Sequence, residues 1–132
     1  MPATPLSDEA LALLRQPNPA VITTLRADGQ PVSVATWYLV EDDGRILVNM
    51  DAERARLAYL RGDPRVSLTA LDSHSWYRHV SIQGHVVEMK DDEGLVDIDR
   101  LSRHYRKKPY PNRTRPRVSA WIETDRWHGW RT

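Results

Sequence analysis

Two tight turn signals, Asp28-Gly29 and Asp42-Asp43-Gly44, separate runs of β-branched and apolar residues early in the chain. They constrain the fold more than any other feature. A parallel crossover needs about a dozen residues, and neither turn offers them. The strands they join are therefore antiparallel hairpin partners. The first is Ala20–Leu25 (Ala-Val-Ile-Thr-Thr-Leu). The second is Val32–Val40, with Val32, Val34 and Thr36 on one face and Ser33, Ala35 and Trp37 on the other. The third is Ile46–Met50.

Further strands are expected at Val66–Leu71, Val80–Met89 and Val118–Glu123, and the phase break near Gly84 predicts a bulge or bend. Ser7-Asp8-Glu9 opens a short helix with Ser7 as N-cap and acids in its first turn, and Pro17 and Pro19 stop it. Glu53–Arg61 reads as a second helix, with Asp51 as N-cap and Gly62-Asp63-Pro64 as its end. Gly94–Tyr105 reads as a third, because Leu95, Ile98, Leu101 and Tyr105 recur at helical spacing. The order α-β-β-β-α-β-β-α-β predicts a mainly β fold. The expected architecture is a closed or nearly closed six-stranded antiparallel barrel with peripheral helices, in one domain over residues 1–132.

The net charge of +1 hides an asymmetry. Arg100, Arg103, Arg106, Lys107, Lys108, Arg113, Arg115 and Arg117 share one segment without an acid, and the remaining 11 basic residues face 18 acidic ones. Charge alone leaves a solvated loop and an anion-binding segment equally open. Nucleic-acid binding is not expected, since the total charge is small and no nucleic-acid module is recognisable. There is no cysteine, so thiol chemistry and Cys-ligated metals are excluded. The five histidines form no zinc-binding motif, so no metal is expected. No Gly-x-Ser-x-Gly, Gly-x-Gly-x-x-Gly or Walker-type loop is present. No apolar run approaches the length of a membrane span, and Met1-Pro2-Ala3-Thr4-Pro5 lacks the features of a secretory signal, so the cytoplasm is the expected location.

What remains is an anion site. Arg54 and Arg56 stand at the start of the second predicted helix, where free N–H groups and two guanidinium forks suit phosphate oxygens. The alternative is that both are solvated and paired with Glu53 or Asp51. Five Trp, five Tyr and no Phe offer amphipathic rings for planar ligands or for packing.

Four stretches, in order along nearly the whole chain, carry a family resemblance. They are Ala20–Val32; Arg54-Ala55-Arg56 with Leu60–Leu68; Trp76–Gly84; and Ile98–Tyr105 with Pro109-Tyr110-Pro111 and Arg117-Val118. Together they resemble the flavin/deazaflavin split β-barrel family, the pyridoxamine 5′-phosphate oxidase-like group. Leu101-Ser102-x-x-Tyr105 with Pro109-Tyr110-Pro111 is similar to the branch that uses coenzyme F420. The resemblance implies an FMN-binding split barrel that forms a homodimer with cofactor at the interface. It implies an F420H2-dependent reductase acting on a conjugated small-molecule acceptor. The alternatives are an FMN-dependent oxidoreductase of the same fold or a non-catalytic F420- or flavin-binding protein.

Carried over by position, Arg56 holds the cofactor phosphate with Arg54 beside it. Val32, Ser33, Val34, Ala35, Thr36 and Trp37 flank the ring system, and Asn49 and Met50 lie near the ribityl chain. Trp76, Arg78 and His79 complete the pocket from the second subunit. Arg78-His79 stands where FMN oxidases show Arg-Gln, and Arg56 where many relatives carry Lys. F420 is polyanionic, so Lys107, Lys108, Arg113 and Arg115 are expected to meet its tail. The chemistry is cofactor-borne and needs no catalytic side chain; Tyr110 and His79 are the candidate proton donors.

Overall fold

The computed structural model describes residues 5–131; Met1–Thr4, read above for a targeting signal, lie outside them. The elements are α1 (Asp8–Leu14), β1 (Ala20–Leu25), β2 (Pro31–Thr36), β3 (Leu39–Val40), β4 (Ile46–Asp51), α2 (Ala55–Gly62), β5 (Arg65–Leu71), β6 (His79–Asp91), a 3₁₀ turn (Glu93–Leu95), α3 (Val96–Arg106) and β7 (Arg117–Trp130). The seven strands form one antiparallel sheet in the order β2-β1-β5-β6-β7-β4-β3. Among the described residues no helix is long and apolar enough to cross a membrane.

The expected count of six strands is corrected to seven. Val32–Val40 is not one strand: β2 pairs with β1, β3 pairs with β4, and Trp37-Tyr38 joins them. β2 and β3 are the two edges of the sheet. A link this short forces the sheet to curl until its edges lie side by side, although no ladder closes them. The result is a barrel with a split, and Trp37-Tyr38 spans the split. Tyr38 is fully buried, and its hydroxyl donates to the Gln16 carbonyl at 3.4 Å. Burial pushes its phenol up to about 12.

Both turn signals do what their residues dictate. Gly29 and Gly44 have φ of 86° and 89°, the left-handed region that glycine reaches without a Cβ penalty. Ser7 caps α1 as expected, its Oγ accepting from the Ala10 N–H at 3.1 Å. Asp51 does not cap α2; that place belongs to Arg54, and α2 begins at Ala55. Asp51 Oδ1 instead accepts from the Glu53 N–H at 3.0 Å, in the turn before the helix. The third helix is broken into the 3₁₀ turn and α3 by two successive left-handed residues, Gly94 (φ 69°) within the turn and Leu95 (φ 58°) at its junction with α3. Buried Asp92 caps α3, accepting from the Asp97 and Ile98 N–H groups, each at 2.9 Å.

β7 runs seven residues beyond the expected end at Glu123, because the 13-residue β6 offers partners as far as the His79–Trp130 pair. The register slips between Gln83 and Gly84, where the extra residue is Asp125 on β7, and again between Val86 and Glu88, where it is Val87 on β6; the second slip accounts for the phase break in the sequence.

β4 is buried on both faces. Ile46, Val48 and Met50 enter the main core with Ile22, Leu68 and Ile82, while Leu47 packs with Ile98, Leu101 and Trp121 beneath α3. Each such fully buried aliphatic chain contributes roughly 1.5–3 kcal/mol. This two-sided burial fixes α3 across the split.

Candidate functional site

A cavity of about 850 Å³ opens at the split, between β2, β4, the start of α2 and α3. β2 and its link line it with Val32, Val34, Ala35, Thr36 and Trp37. Ser33 does not; its hydroxyl shares a hydrogen bond with that of Thr23 at 2.7 Å. β4 brings Asn49 and Met50, and α2 brings Arg54 and Arg56. Ten residues of the expected set, Tyr110 among them, thus meet in one place.

Arg56 is the most unusual of them. Its Nε and Nη1 are buried without a hydrogen-bond partner among the described residues. Burial, then the neighbouring charges of Arg54 and Arg117, lower the pKa of its guanidinium. Burying two nitrogens of a half-buried cation without an acceptor is costly, so this position is suited to an incoming anion.

Tyr59, Tyr105 and Arg117 also line the cavity but were not expected there. Tyr105 stacks on Trp37 with centroids 5.4 Å apart and planes 11° apart, and Tyr110 meets Trp37 edge-on at 6.3 Å. The Tyr105 hydroxyl donates to the Asn18 carbonyl at 2.7 Å. Arg117 Nε donates to Asn49 Oδ1 at 2.7 Å, and its guanidinium lies 4.9 Å from the Tyr110 ring centroid. Sequence signals existed for two of these. Tyr105 falls in the apolar spacing of α3, and Arg117 alternates with Ser119 and Trp121 at the start of β7.

The basic segment behaves in two ways. Asp99 accepts from Arg113 Nη1 at 2.6 Å and from the Tyr110 N–H at 3.0 Å. Arg115 binds Asp51 through Nε and reaches Glu53 Oε2 at 3.0 Å. Arg100 binds Glu41 and, at 3.2 Å, Asp97. The Arg113 and Arg115 pairs strap the α3–β7 connection to α3 and to the turn before α2, while Arg100, inside α3, ties that helix to Glu41 after β3. Arg113 and Arg115 are therefore held by carboxylates of this chain rather than presented to a ligand. Lys107 and Lys108 are exposed, at the far end of α3, and do not line the cavity. Trp76, Arg78 and His79 lie in and after the β5–β6 turn, also away from it. Trp76 stacks on Tyr77 at 4.3 Å, Arg78 binds Asp72 at 3.0 Å, and His79 Nδ1 faces the Tyr77 carbonyl at 3.1 Å.

Against known proteins, the family described as pyridoxamine 5′-phosphate oxidase matches residues 6–131. The chain belongs to this family. A curated relative, the F420H(2)-dependent biliverdin reductase of Mycobacterium tuberculosis (strain CDC 1551 / Oshkosh), is 31% identical over 124 residues, covering 91% of this chain and 86% of the relative. Among solved structures, an F420 reductase superposes with a TM-score of 0.82 at 20% identity, covering 93% of this chain and 98% of the other. A conserved hypothetical protein from Mycobacterium tuberculosis gives 0.71 at 26% identity, covering 96% and 85%.

In this pyridoxamine 5′-phosphate oxidase family member the strap predicts an acid sensitivity. Arg115, and then the Glu53 N–H, hold the Asp51 carboxyl at about 2 against an ordinary value of 3.8. A carboxyl depressed on folding stabilises the fold above its unfolded pKa and loses that contribution as pH falls through the folded one. Asp51→Asn therefore melts below the wild type at neutral pH. The gap narrows as the pH falls from 3.8 and closes near 2, as thermal melts across that range would record. The effect is small, because the pair is open to water on the Arg115 side.

Proposed function

We propose that this protein is an F420H2-dependent reductase that passes a hydride to a conjugated small-molecule acceptor. The observation that carries the reading is Arg56, whose buried Nε and Nη1 lack an acceptor among the described residues, at the edge of a cavity walled by Trp37, Tyr105 and Tyr110. That combination fits a cofactor with a planar ring at one end and a phosphate at the other. The biliverdin reductase relative supports F420 over FMN.

Bound reduced deazaflavin supplies the hydride; the protein binds, orients and shields. Arg56 and Arg54 hold the phosphate. Val32, Val34, Ala35, Thr36 and Trp37 bound the ring, and Asn49 and Met50 border the ribityl chain. Tyr110 Oη accepts from Arg117 Nη1 at 3.3 Å, which leaves its own proton available to an acceptor in the cavity. A homodimer completes the site, with Trp76, Arg78 and His79 of the partner subunit closing it. Lys107 and Lys108 meet the oligoglutamate tail outside the cavity.

Titration of the purified protein with F420 and FMN, read by tryptophan quenching, tests this. F420 is expected to quench with micromolar affinity, aided by Trp37 in the cavity wall. Absence of F420 binding at micromolar concentration overturns the reading, and tighter binding of FMN moves it to an FMN enzyme of the same fold.

A further inference from the structure

The arginines around the cavity fall into two groups. Arg100, Arg113 and Arg115 each have a carboxylate partner. Arg54, Arg56 and Arg117 line the cavity, and none has a carboxylate within salt-bridge distance among the described residues. Asp51 also lines the cavity; Arg115 binds it directly, and Arg117, its cross-strand partner, acts on it at longer range. A monoanionic phosphodiester on Arg54 and Arg56 would leave Arg117 with no direct anionic partner, only the longer-range field of Asp51.

Arg117 lies within electrostatic reach of Arg56 but is held by neighbours of its own. Its Nε is fixed on Asn49 Oδ1, and the amide of Asn49 cannot turn over. Asn49 is nearly buried, and its Nδ2 donates to Asp92 Oδ2 at 3.1 Å and to Ser119 Oγ at 3.0 Å. Asp92 is in turn fixed by its two bonds to the start of α3. On the other side, Arg117 Nη1 donates to the Tyr110 hydroxyl while the guanidinium lies over the Tyr110 ring. Two of its three nitrogens are thus committed, and Nη2 has no acceptor among the described residues. A guanidinium oriented by its neighbours binds an oxygen without first losing side-chain freedom.

We infer that Arg117, oriented by Asn49 and Tyr110, forms a second anion position in this cavity, so that the site is filled by ligands negative at two places. Arg54 and Arg56 take one phosphate or carboxylate group and Arg117 takes the other. This rests on the reading of the cavity as a cofactor site. The second group is carried either by the cofactor or by the acceptor. Asn49 is a positioning residue, since it acts through Arg117.

Inorganic phosphate and pyrophosphate, compared at equal ionic strength by thermal shift, probe the site without either. In the wild type pyrophosphate is expected to raise the melting temperature more than phosphate. Arg117→Gln brings the pyrophosphate shift down to that of phosphate, Arg117→Lys keeps part of the difference, and Arg56→Gln removes both shifts. Equal shifts in the wild type, or a pyrophosphate advantage that survives Arg117→Gln, overturn the inference. Titration with F420 then assigns the second group. A roughly tenfold weaker Kd in Arg117→Gln, the scale of one lost charged hydrogen bond, puts it on the cofactor. An unchanged Kd beside an abolished pyrophosphate advantage puts it on the acceptor. Failure of F420 to bind the wild type while the two anions still differ counts against the cofactor reading alone.

Discussion

Gly84→Ala is expected to destabilise the protein by about 3 kcal/mol or more, the range reached when a methyl is forced into a packed interior. A Cβ there would lie 2.1 Å from the Glu123 carbonyl oxygen and 3.1 Å from Ile122 Cγ2. The obstacle is backbone of the neighbouring strand, which cannot swing aside as a side-chain tip would. Gly84 pairs with Thr124 and Gln83 with Arg126, so Asp125 is the extra residue that lets β7 bend towards β6 at this point. Relieving the clash means pulling apart the longest ladder in the sheet. For a domain of this size the loss corresponds to a fall in melting temperature of roughly 10 °C. Gly62→Ala is the control: a Cβ there meets nothing within 4 Å, and it closes α2, where alanine is the better helix former. It should melt at or slightly above the wild type. A Gly84→Ala protein that melts within a few degrees of the wild type would show that the strands adjust more easily than their contact distance implies.

The irregularity after Gly84 is legible in the sequence because Val87 and Glu88 fall out of phase with Val80, Ile82, Gly84 and Val86, and other local features are as legible. β1 has the bounds its β-branched run suggests, the two glycine turns sit where expected, and Ser7 caps α1. What could not be read locally was where the chain changes partners. Val32–Val40 is continuous in propensity, and nothing in Trp37-Tyr38 announces a break. The break exists because β2 and β3 belong to opposite edges of one curled sheet, which is a property of the whole topology. β7 was cut short for a related reason. Thr124-Asp125-Arg126 looks like a loop until β6 is present to pair with it.

The site divides along the same line. Residues on β2, β4 and the start of α2 converge because hairpin register carries them there. The basic segment could not be interpreted from its composition. Its acids are remote in sequence: Arg115 finds Asp51 and Glu53, and Arg100 finds Glu41. A count of charges cannot distinguish an arginine that pins a loop from one that faces a ligand. Arg117 is hidden among its neighbours for that reason, although it is the basic member of the segment that lines the cavity.

Arg56→Met separates binding from stability most sharply, because its two effects should have opposite signs. The substitution keeps an unbranched apolar stem and removes the charge and every donor. With the phosphate contact gone, F420 affinity is expected to fall by about 1.5–3 kcal/mol, a roughly 10- to 150-fold rise in Kd. The free protein should become more stable, by about 1 kcal/mol, since the variant no longer buries Nε and Nη1 without an acceptor. It also relieves the repulsion from Arg54 and Arg117 that helps to lower the Arg56 pKa. A guanidinium kept for packing would behave otherwise: its loss would cost stability and leave affinity alone. Fluorescence titration and thermal melts of the same two proteins decide between them. Weaker F420 binding with an unchanged or higher melting temperature assigns Arg56 to the ligand. A lower melting temperature with an unchanged Kd assigns it to the fold and removes the phosphate position from α2. Saturating F420 should then reverse the order of stability, since a ligand that binds only the folded state stabilises it in proportion to the logarithm of its concentration over Kd. The wild type should overtake Arg56→Met once F420 well exceeds its wild-type Kd.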